Sequence, residues 1–191
     1  MKQLQDYQTL LATTGVEWGL IGPREVDRLW DRHLDNCLAV TEDVGLLPQD
    51  SSVIDVGTGA GLPGLVWAIA RPDLRVTLVE PLERRVRFLE LAVQELELPS
   101  VAIVRGRAQD VRAQADVVTA RAVSALKNLL PWLSPLVSDP GRMVLMKGQK
   151  AQDEVQQARP WLARHQWRAD IRDVGQPART RVVVVERGEQ R

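Results

Sequence analysis

At 191 residues, 45% of them apolar and 26% charged, the chain has the length and composition of one folded domain. No apolar run reaches membrane-span length and no basic segment followed by an apolar leader opens the chain, which points to a cytoplasmic protein without a membrane partner. Net charge is zero, and the one cysteine, Cys37, excludes an internal disulfide and a cysteine metal cluster, so no metal site is expected.

Charge is unevenly spread. Residues 1–50 hold four cations (Lys2, Arg24, Arg28, Arg32) against nine acids, a net of −5, and the remainder carries +5. A basic face in the second part would produce that asymmetry, although arginine-rich helices are also ordinary solvated surface.

In chain order, residues 1–22 are weakly periodic. Leu4, Leu10, Leu11 and Trp18 are candidate anchors for a short helix, followed by an irregular stretch from Gly15 to Gly22. Pro23 opens a helix whose apolar stripe is expected at Val26, Trp30, Leu34, Cys37, Leu38 and Thr41. A strand ending at Val56 leads through a glycine turn into a helix from Leu65 to Ala70. A strand at 74–80, a helix at 81–98 and a strand at 101–105 follow, with Val86, Leu89, Val93 and Leu96 facing inward. Next come a strand at 116–120 and a helix at 126–136, broken by Pro131 and Pro135. A strand at 141–146, a helix at 150–165 and strands at 167–174 and 181–186 complete the pattern. Strands alternating with helices imply a mostly parallel, seven-stranded α/β sheet covered on both faces, and the last two strands should pair antiparallel. We expect one domain over 1–191, with a short N-terminal helical section (1–45) and an α/β core (50–191).

The core is organised around Val-Ile-Asp-Val-Gly-Thr-Gly-Ala-Gly-Leu-Pro-Gly (53–64). Gly57, Gly59 and Gly61 permit positive φ and close approach of a ligand to the backbone, and the helix behind them offers a positive dipole end. Strand, glycine turn and helix make a nucleotide-type cofactor cradle. The dinucleotide fingerprint needs its third glycine at Leu62, where this chain is one residue early. The Asp-x-Gly-x-Gly-x-Gly form from Asp55 is instead similar to motif I of class I S-adenosylmethionine methyltransferases. Glu80, closing the next strand, is the carboxylate a ribose would need.

Four further segments narrow that resemblance: Arg-His-Leu-Asp-Asn (32–36), Arg-Arg-Val-Arg-Phe-Leu (84–89), Ala-Arg-Ala-Val (120–123) and Met-Lys-Gly (146–148). With Gly57 to Gly64 they resemble the glucose-inhibited division protein B family, the bacterial 16S ribosomal RNA guanine-N7 methyltransferases. The resemblance spans roughly Pro23 to Gly148. Where family members carry Asn-Leu-Thr, this chain reads Gly-Leu-Ile-Gly-Pro (19–23).

The resemblance implies S-adenosyl-L-methionine as cofactor, held by Asp55, Gly57, Gly59, Gly61, Leu62, Glu80, Ala108, Gln109 and Arg121. Arg121 would act by positioning, its guanidinium set against the methionine carboxylate. Asp110 is either the adenine-side acid displaced by one residue or a helix cap. Arg32, His33, Arg84, Arg85, Arg87 and Lys147 are the candidates for RNA contact, Lys147 at phosphate or at guanine O6. The implied partner is 16S ribosomal RNA or the 30S subunit, and the implied state a monomer.

The residues also narrow the nucleophile. Cytosine-C5 methylation needs a thiolate at the active edge, but Cys37 lies on a helix stripe upstream. Exocyclic amine methylation usually shows Asn/Asp-Pro-Pro-aromatic after the fourth strand, where this chain has Thr-Ala-Arg-Ala-Val. Guanine N7 has a lone pair and no proton to lose, so no general base is needed. The remaining alternatives are a same-fold methyltransferase with another RNA or protein substrate, a nicotinamide-dinucleotide-binding protein, and a non-catalytic RNA-binding protein.

Overall fold

The structure, a computed structural model, describes residues 1–175 and 180–188. Seven strands form one sheet in the order β3-β2-β1-β4-β5-β7-β6. They are β1 (Ser52–Val56), β2 (Arg75–Glu80), β3 (Val101–Arg105), β4 (Ala115–Arg121), β5 (Val137–Lys147), β6 (Trp167–Val174) and β7 (Thr180–Arg187). β1 pairs in parallel with both β2 and β4, and β5 with β4. β7 lies antiparallel between β5 and β6, as expected for strands with no helix between them.

Alternation along the strands divides the core into two layers. Val53, Val76, Leu78, Val117 and Val144 pack on one face with α1 (Lys2–Leu10), α2 (Asp35–Thr41), α3 (Gly64–Ala70) and α4 (Glu83–Glu95). Ile54, Val79, Val118, Met143 and Leu145 pack on the other with α5 (Leu126–Leu133) and α6 (Ala151–His165). Because β2 and β4 flank β1, the chain reverses its winding there, and a crevice opens beyond the carboxyl ends of β1 and β4.

Four local expectations change. The stripe in the helical section is Leu29, Leu34, Cys37 and Val40, all fully buried, and Val26 and Trp30 are only partly covered. The reason is a π-helical turn at Trp30–Leu34, between a 3₁₀ segment at Pro23–Arg28 and α2. One residue inserted into the turn moves the buried face from a three-four spacing to a five-residue step. The first helix is also longer than expected, running helically to Glu17 through a π turn at Leu11–Gly15, with Tyr7 buried beside Leu4, Leu10 and Leu11. Third, α5 continues through Pro131 and becomes a 3₁₀ turn only at Ser134–Leu136. Burial of Leu126, Leu129, Leu130 and Leu133 on one side holds the helix despite the missing N–H.

Helix α4 stops earlier than its apolar spacing suggests. Glu97 takes φ +50°, its N–H donates to Gln94 O, and Leu98 N–H donates to Val93 O. That is a Schellman closure with glutamate in the position glycine usually fills.

Candidate functional site

The crevice begins at the glycine turn. Gly57, Gly59 and Gly61 have φ of +68°, +64° and +101°. A Cβ on Gly57 would meet Val123 at 2.7 Å, and one on Gly61 would meet Leu65 at 2.3 Å, so these two glycines serve packing inside the protein. A Cβ on Gly59 would meet nothing within 4 Å among the described residues and would project into open space. Gly59 is therefore the position where a ligand can approach the backbone.

Asp55 ties the turn to α3. Its Oδ2 accepts from Thr58 Oγ1 at 2.6 Å and from Gly64 N–H at 2.9 Å. The first helical amide is thus taken internally, contrary to the expected open helix N-terminus. Asp55 is fully buried, and its Oδ1 has no partner among the described residues. Burial pushes its carboxyl up to about 6, against the pull of the Thr58 and Gly64 hydrogen bonds. A buried carboxylate oxygen without a donor calls for one, from water or from the N–H or ammonium group of a ligand.

Glu80 is 1% exposed at the end of β2. Its Oε2 accepts from Gly59 N–H at 3.0 Å and its Oε1 from Leu82 N–H at 3.0 Å, and Arg85 Nη1 stands 3.5 Å from Oε2. Each oxygen retains a lone pair for a hydroxyl. Beyond β3, Ala108 is buried and Gln109 exposed on a 3₁₀ turn, and Gly106 N–H donates to Glu80 O, which sets that turn beside β2. Asp110 accepts from Arg107 N–H at 2.9 Å, which makes it a cap. Leu62 gives its N–H to Thr58 O at 3.1 Å.

Arg121 ends β4. Its Nη1 donates to Cys37 Sγ at 3.5 Å, and its Nη2 lies 3.4 Å from Arg32 O and 2.6 Å from His33 Nδ1. The guanidinium is therefore braced against the helical section, and no carboxylate is bonded to it among the described residues. Cys37 is fully buried and burial pushes its thiol up to about 12, so it remains protonated packing and not a nucleophile. Ala122 takes φ +54°, a strained turn for alanine, and swings Val123 over Gly57.

The expected basic face separates into two places. Arg84, Arg85 and Arg87 share α4, where Arg84 reaches toward Gly19 and Arg87 is held by Glu83 at 2.7 Å. Arg32 pairs with Glu25 at 2.8 Å and, with Arg121, lines a cavity beyond the end of β4. Of the two contacts expected of Lys147, the phosphate one does not fit: its side chain is 8% exposed, donating to Ser124 O at 2.7 Å and to Glu154 at 2.8 Å. A buried, paired ammonium is not an exposed phosphate contact. His33 faces Arg121 and Glu25 more than solvent.

Four participants were not singled out from the sequence. Tyr7, the only tyrosine, donates its hydroxyl to Ala60 O at 2.6 Å and props the glycine turn from the first helix. Glu25 holds both Arg32 and His33. Val123 covers Gly57, and Glu154 receives Lys147. Tyr7 carried a signal in its place on the Leu4–Leu11 stripe, and Val123 in its place in the Ala-Arg-Ala-Val segment.

The chain is similar to known proteins over most of its length. The model of the family described as GidB, rRNA small subunit methyltransferase G, matches residues 1–178. Relatives called ribosomal RNA small subunit methyltransferase G include one from Kineococcus radiotolerans, 59% identical over 152 residues, covering 78% of this chain and 59% of that protein. One from Thermobifida fusca is 53% identical, covering 89% and 70%, and one from Mycobacterium marinum 48% identical, covering 98% and 84%. This chain thus spans about three fifths of the length of the first of these relatives and more of the others. Among solved structures, a ribosomal protein L11 methylase from Lactobacillus delbrueckii superposes with TM-score 0.63 at 17% identity, covering 81% of this chain and 78% of that one. M. jannaschii TYW2, solved in complex with AdoMet, gives 0.60 at 17% identity, covering 80% and 76%. At that identity the likeness is one of fold, the seven-stranded class I methyltransferase architecture.

Proposed function

Because this chain belongs to the GidB family of ribosomal RNA small subunit methyltransferases, we propose that it transfers the methyl group of S-adenosyl-L-methionine to N7 of a guanine in 16S ribosomal RNA. The observation that carries this is an acid and a guanidinium on the neighbouring strands β1 and β4, each with hydrogen-bonding capacity left over. Among the described residues, Asp55 has a buried acceptor oxygen without a donor on β1, and Arg121 a guanidinium without a carboxylate partner on the neighbouring β4. A zwitterionic amino-acid moiety needs that arrangement, its ammonium toward Asp55 and its carboxylate toward Arg121. Glu80 would hold the ribose hydroxyls, the open side of Gly59 would admit the ligand, and Gly57, Gly61, Leu62, Ala108 and Gln109 would shape its walls.

Bound there, S-adenosyl-L-methionine supplies a methyl group already activated on a sulfonium, so a lone-pair nucleophile suffices. The chain's own task is to hold the donor, exclude water and position the base. The helical section at 1–45 belongs to the same working unit as the core, because His33 and Arg32 brace Arg121 and Tyr7 props the turn. Arg84, Arg85 and Arg87 on α4 would meet RNA phosphates, and Arg32 would meet RNA beside the crevice.

Among the described residues no helix is long and apolar enough to cross a membrane, and we read the protein as a cytoplasmic monomer acting on the 30S subunit or its RNA. The test is transfer of labelled methyl groups to unmodified 30S subunits and to naked 16S RNA, with the product nucleoside identified. 7-Methylguanosine is expected. Another methylated nucleoside, or tight binding of NAD in place of S-adenosylhomocysteine, overturns the reading.

A further inference from the structure

A cavity of about 790 Å³ lies beside the glycine turn, between the β4 end, the β5 end and α6. Arg121 and Val123 form the wall shared with the cofactor crevice, and Lys147 and Glu154 form another. Glu154 Oε2 accepts from Lys147 Nζ at 2.8 Å and from Leu126 N–H at 2.7 Å. Its Oε1 has no partner among the described residues. Lys147 donates to Ser124 O and to Glu154, which occupies two of its three N–H groups. The pair therefore has one carboxylate oxygen and one ammonium hydrogen to spare, side by side in a cavity wall.

We propose that Lys147 and Glu154 read the acceptor base: Glu154 Oε1 accepts from N1–H and the 2-amino group of guanine, and Lys147 donates to O6. This rests on the proposed guanine-N7 reaction. Adenine presents the opposite order, a donor at N6 and an acceptor at N1, and leaves both protein groups unpaired. The reaction itself strengthens the contact. The N7 lone pair forms the new N–C bond as the S–C bond breaks and its electron pair stays on sulfur. No proton leaves N7, and the positive charge passes to the guanine ring. N1–H and the amino group then become stronger donors, so a carboxylate facing them binds the transition state better than the ground state.

Glu154→Gln is the decisive variant. Leu126 N–H and Lys147 both donate to the Oε2 position, so the amide oxygen stays there and the NH₂ takes the place of Oε1. A donor then faces the guanine donors. The substrates are unmodified 16S RNA and the same RNA with inosine, which lacks the 2-amino group, at the guanosine the parent methylates.

We expect Glu154→Gln to lower kcat/KM on guanosine RNA by roughly ten- to a hundredfold, with kcat sharing the loss. S-adenosylhomocysteine affinity and the circular dichroism spectrum should stay as in the parent. Inosine should cost the parent about fivefold or more in kcat/KM and in RNA affinity measured with S-adenosylhomocysteine present, and cost Glu154→Gln nothing further. Lys147→Met should lose activity yet keep the parental ratio, because inosine retains O6.

A folded Glu154→Gln with parental discrimination overturns the proposal, as does a parent that treats guanosine and inosine alike, which needs no variant to fold. A parent that makes no 7-methylguanosine at all removes the function reading as well, and the parent alone shows it.

Discussion

Arg121 and His33 meet side chain to side chain, with Nη2 2.6 Å from Nδ1. A guanidinium has only donors, so Nδ1 accepts and the imidazole proton sits on Nε2, 3.2 Å from Glu25 Oε2. Burial first, and Arg121 second, hold the His33 pKa below its ordinary value of 6.5. A depressed folded pKa means that the buried, neutral His33 contributes stability that is present above pH 6.5 and lost as pH falls through the folded value. Nitrogen-15 spectra at neutral pH should show the Nε2–H tautomer, and an Nδ1–H imidazole would refute the contact.

Arg121→Ala should weaken S-adenosylhomocysteine binding tenfold or more, about 1.4 kcal/mol, and lower turnover. His33→Ala removes a brace and not the charge, so its loss of affinity should be smaller. Calorimetry on both variants checks the order. Equal affinity in parent and Arg121→Ala would take the arginine out of the cofactor site.

Gly59 and Gly64 should separate binding from folding. Gly59→Ala meets no atom within 4 Å, and its φ of +64° costs roughly 1–2 kcal/mol, yet its methyl enters the ligand space and should abolish cofactor binding. Gly64→Ala would put a Cβ 2.4 Å from Leu78 and 2.8 Å from Asp55 Oδ2. That overpacking should cost about 1–3 kcal/mol or more and lower the Tm by several degrees. Thermal melts and calorimetry on the two proteins distinguish the effects, and normal binding by Gly59→Ala would place the ligand elsewhere.

Asp55 has a folded pKa of about 6 against an ordinary 3.8. The raised value means that the ligand-free protein has the full benefit of the neutral acid below pH 3.8. That benefit disappears as pH rises through about 6, a difference of roughly 3 kcal/mol. Asp55→Asn keeps an acceptor for Thr58 and Gly64 and removes the titration. The stability difference between variant and parent should therefore grow from pH 4 to pH 7 and then level off. Cofactor affinity should run the other way in the parent, rising through pH 6 as the carboxylate ionises, and stay flat in the variant. A parent whose affinity ignores pH across that window would argue against Asp55 facing the ligand's ammonium.

Arg84 and Arg87 test the RNA face without touching the crevice. Replacing each by Ala should weaken RNA binding across sequences and flatten the log–log salt dependence by about one unit per charge, with S-adenosylhomocysteine affinity unchanged. Arg87 is the weaker case, because Glu83 already neutralises it. Titrations at three salt concentrations measure the slope. Parental slopes in both variants would leave α4 a solvated surface and move the footprint to Arg32 and the helical section.

The seven strands, their order of appearance and the glycine turn were legible in the chain because they are local. Two-residue alternation, β-branched runs and glycines at required positive φ act over a few neighbours, and they located Asp55, Glu80 and Arg121 at strand ends. The meeting of side chains from distant elements was decided by the tertiary structure. His33 reaches Arg121 across 88 residues and Tyr7 reaches Ala60 across 53, and both meetings follow from how the helical section packs on the first face of the sheet. Lys147 shows the same limit at short range: a lysine before glycine reads as exposed, but the turn from β5 into α6 folds Glu154 over it and covers the ammonium. The π turn at Trp30–Leu34 shifted a stripe that regular helical spacing had assigned, since one inserted residue costs little where packing of Leu29 and Leu34 rewards it. Backbone preference is a property of neighbours in sequence, whereas burial, ion pairing and the orphaned oxygen of Asp55 exist only once the layers have closed.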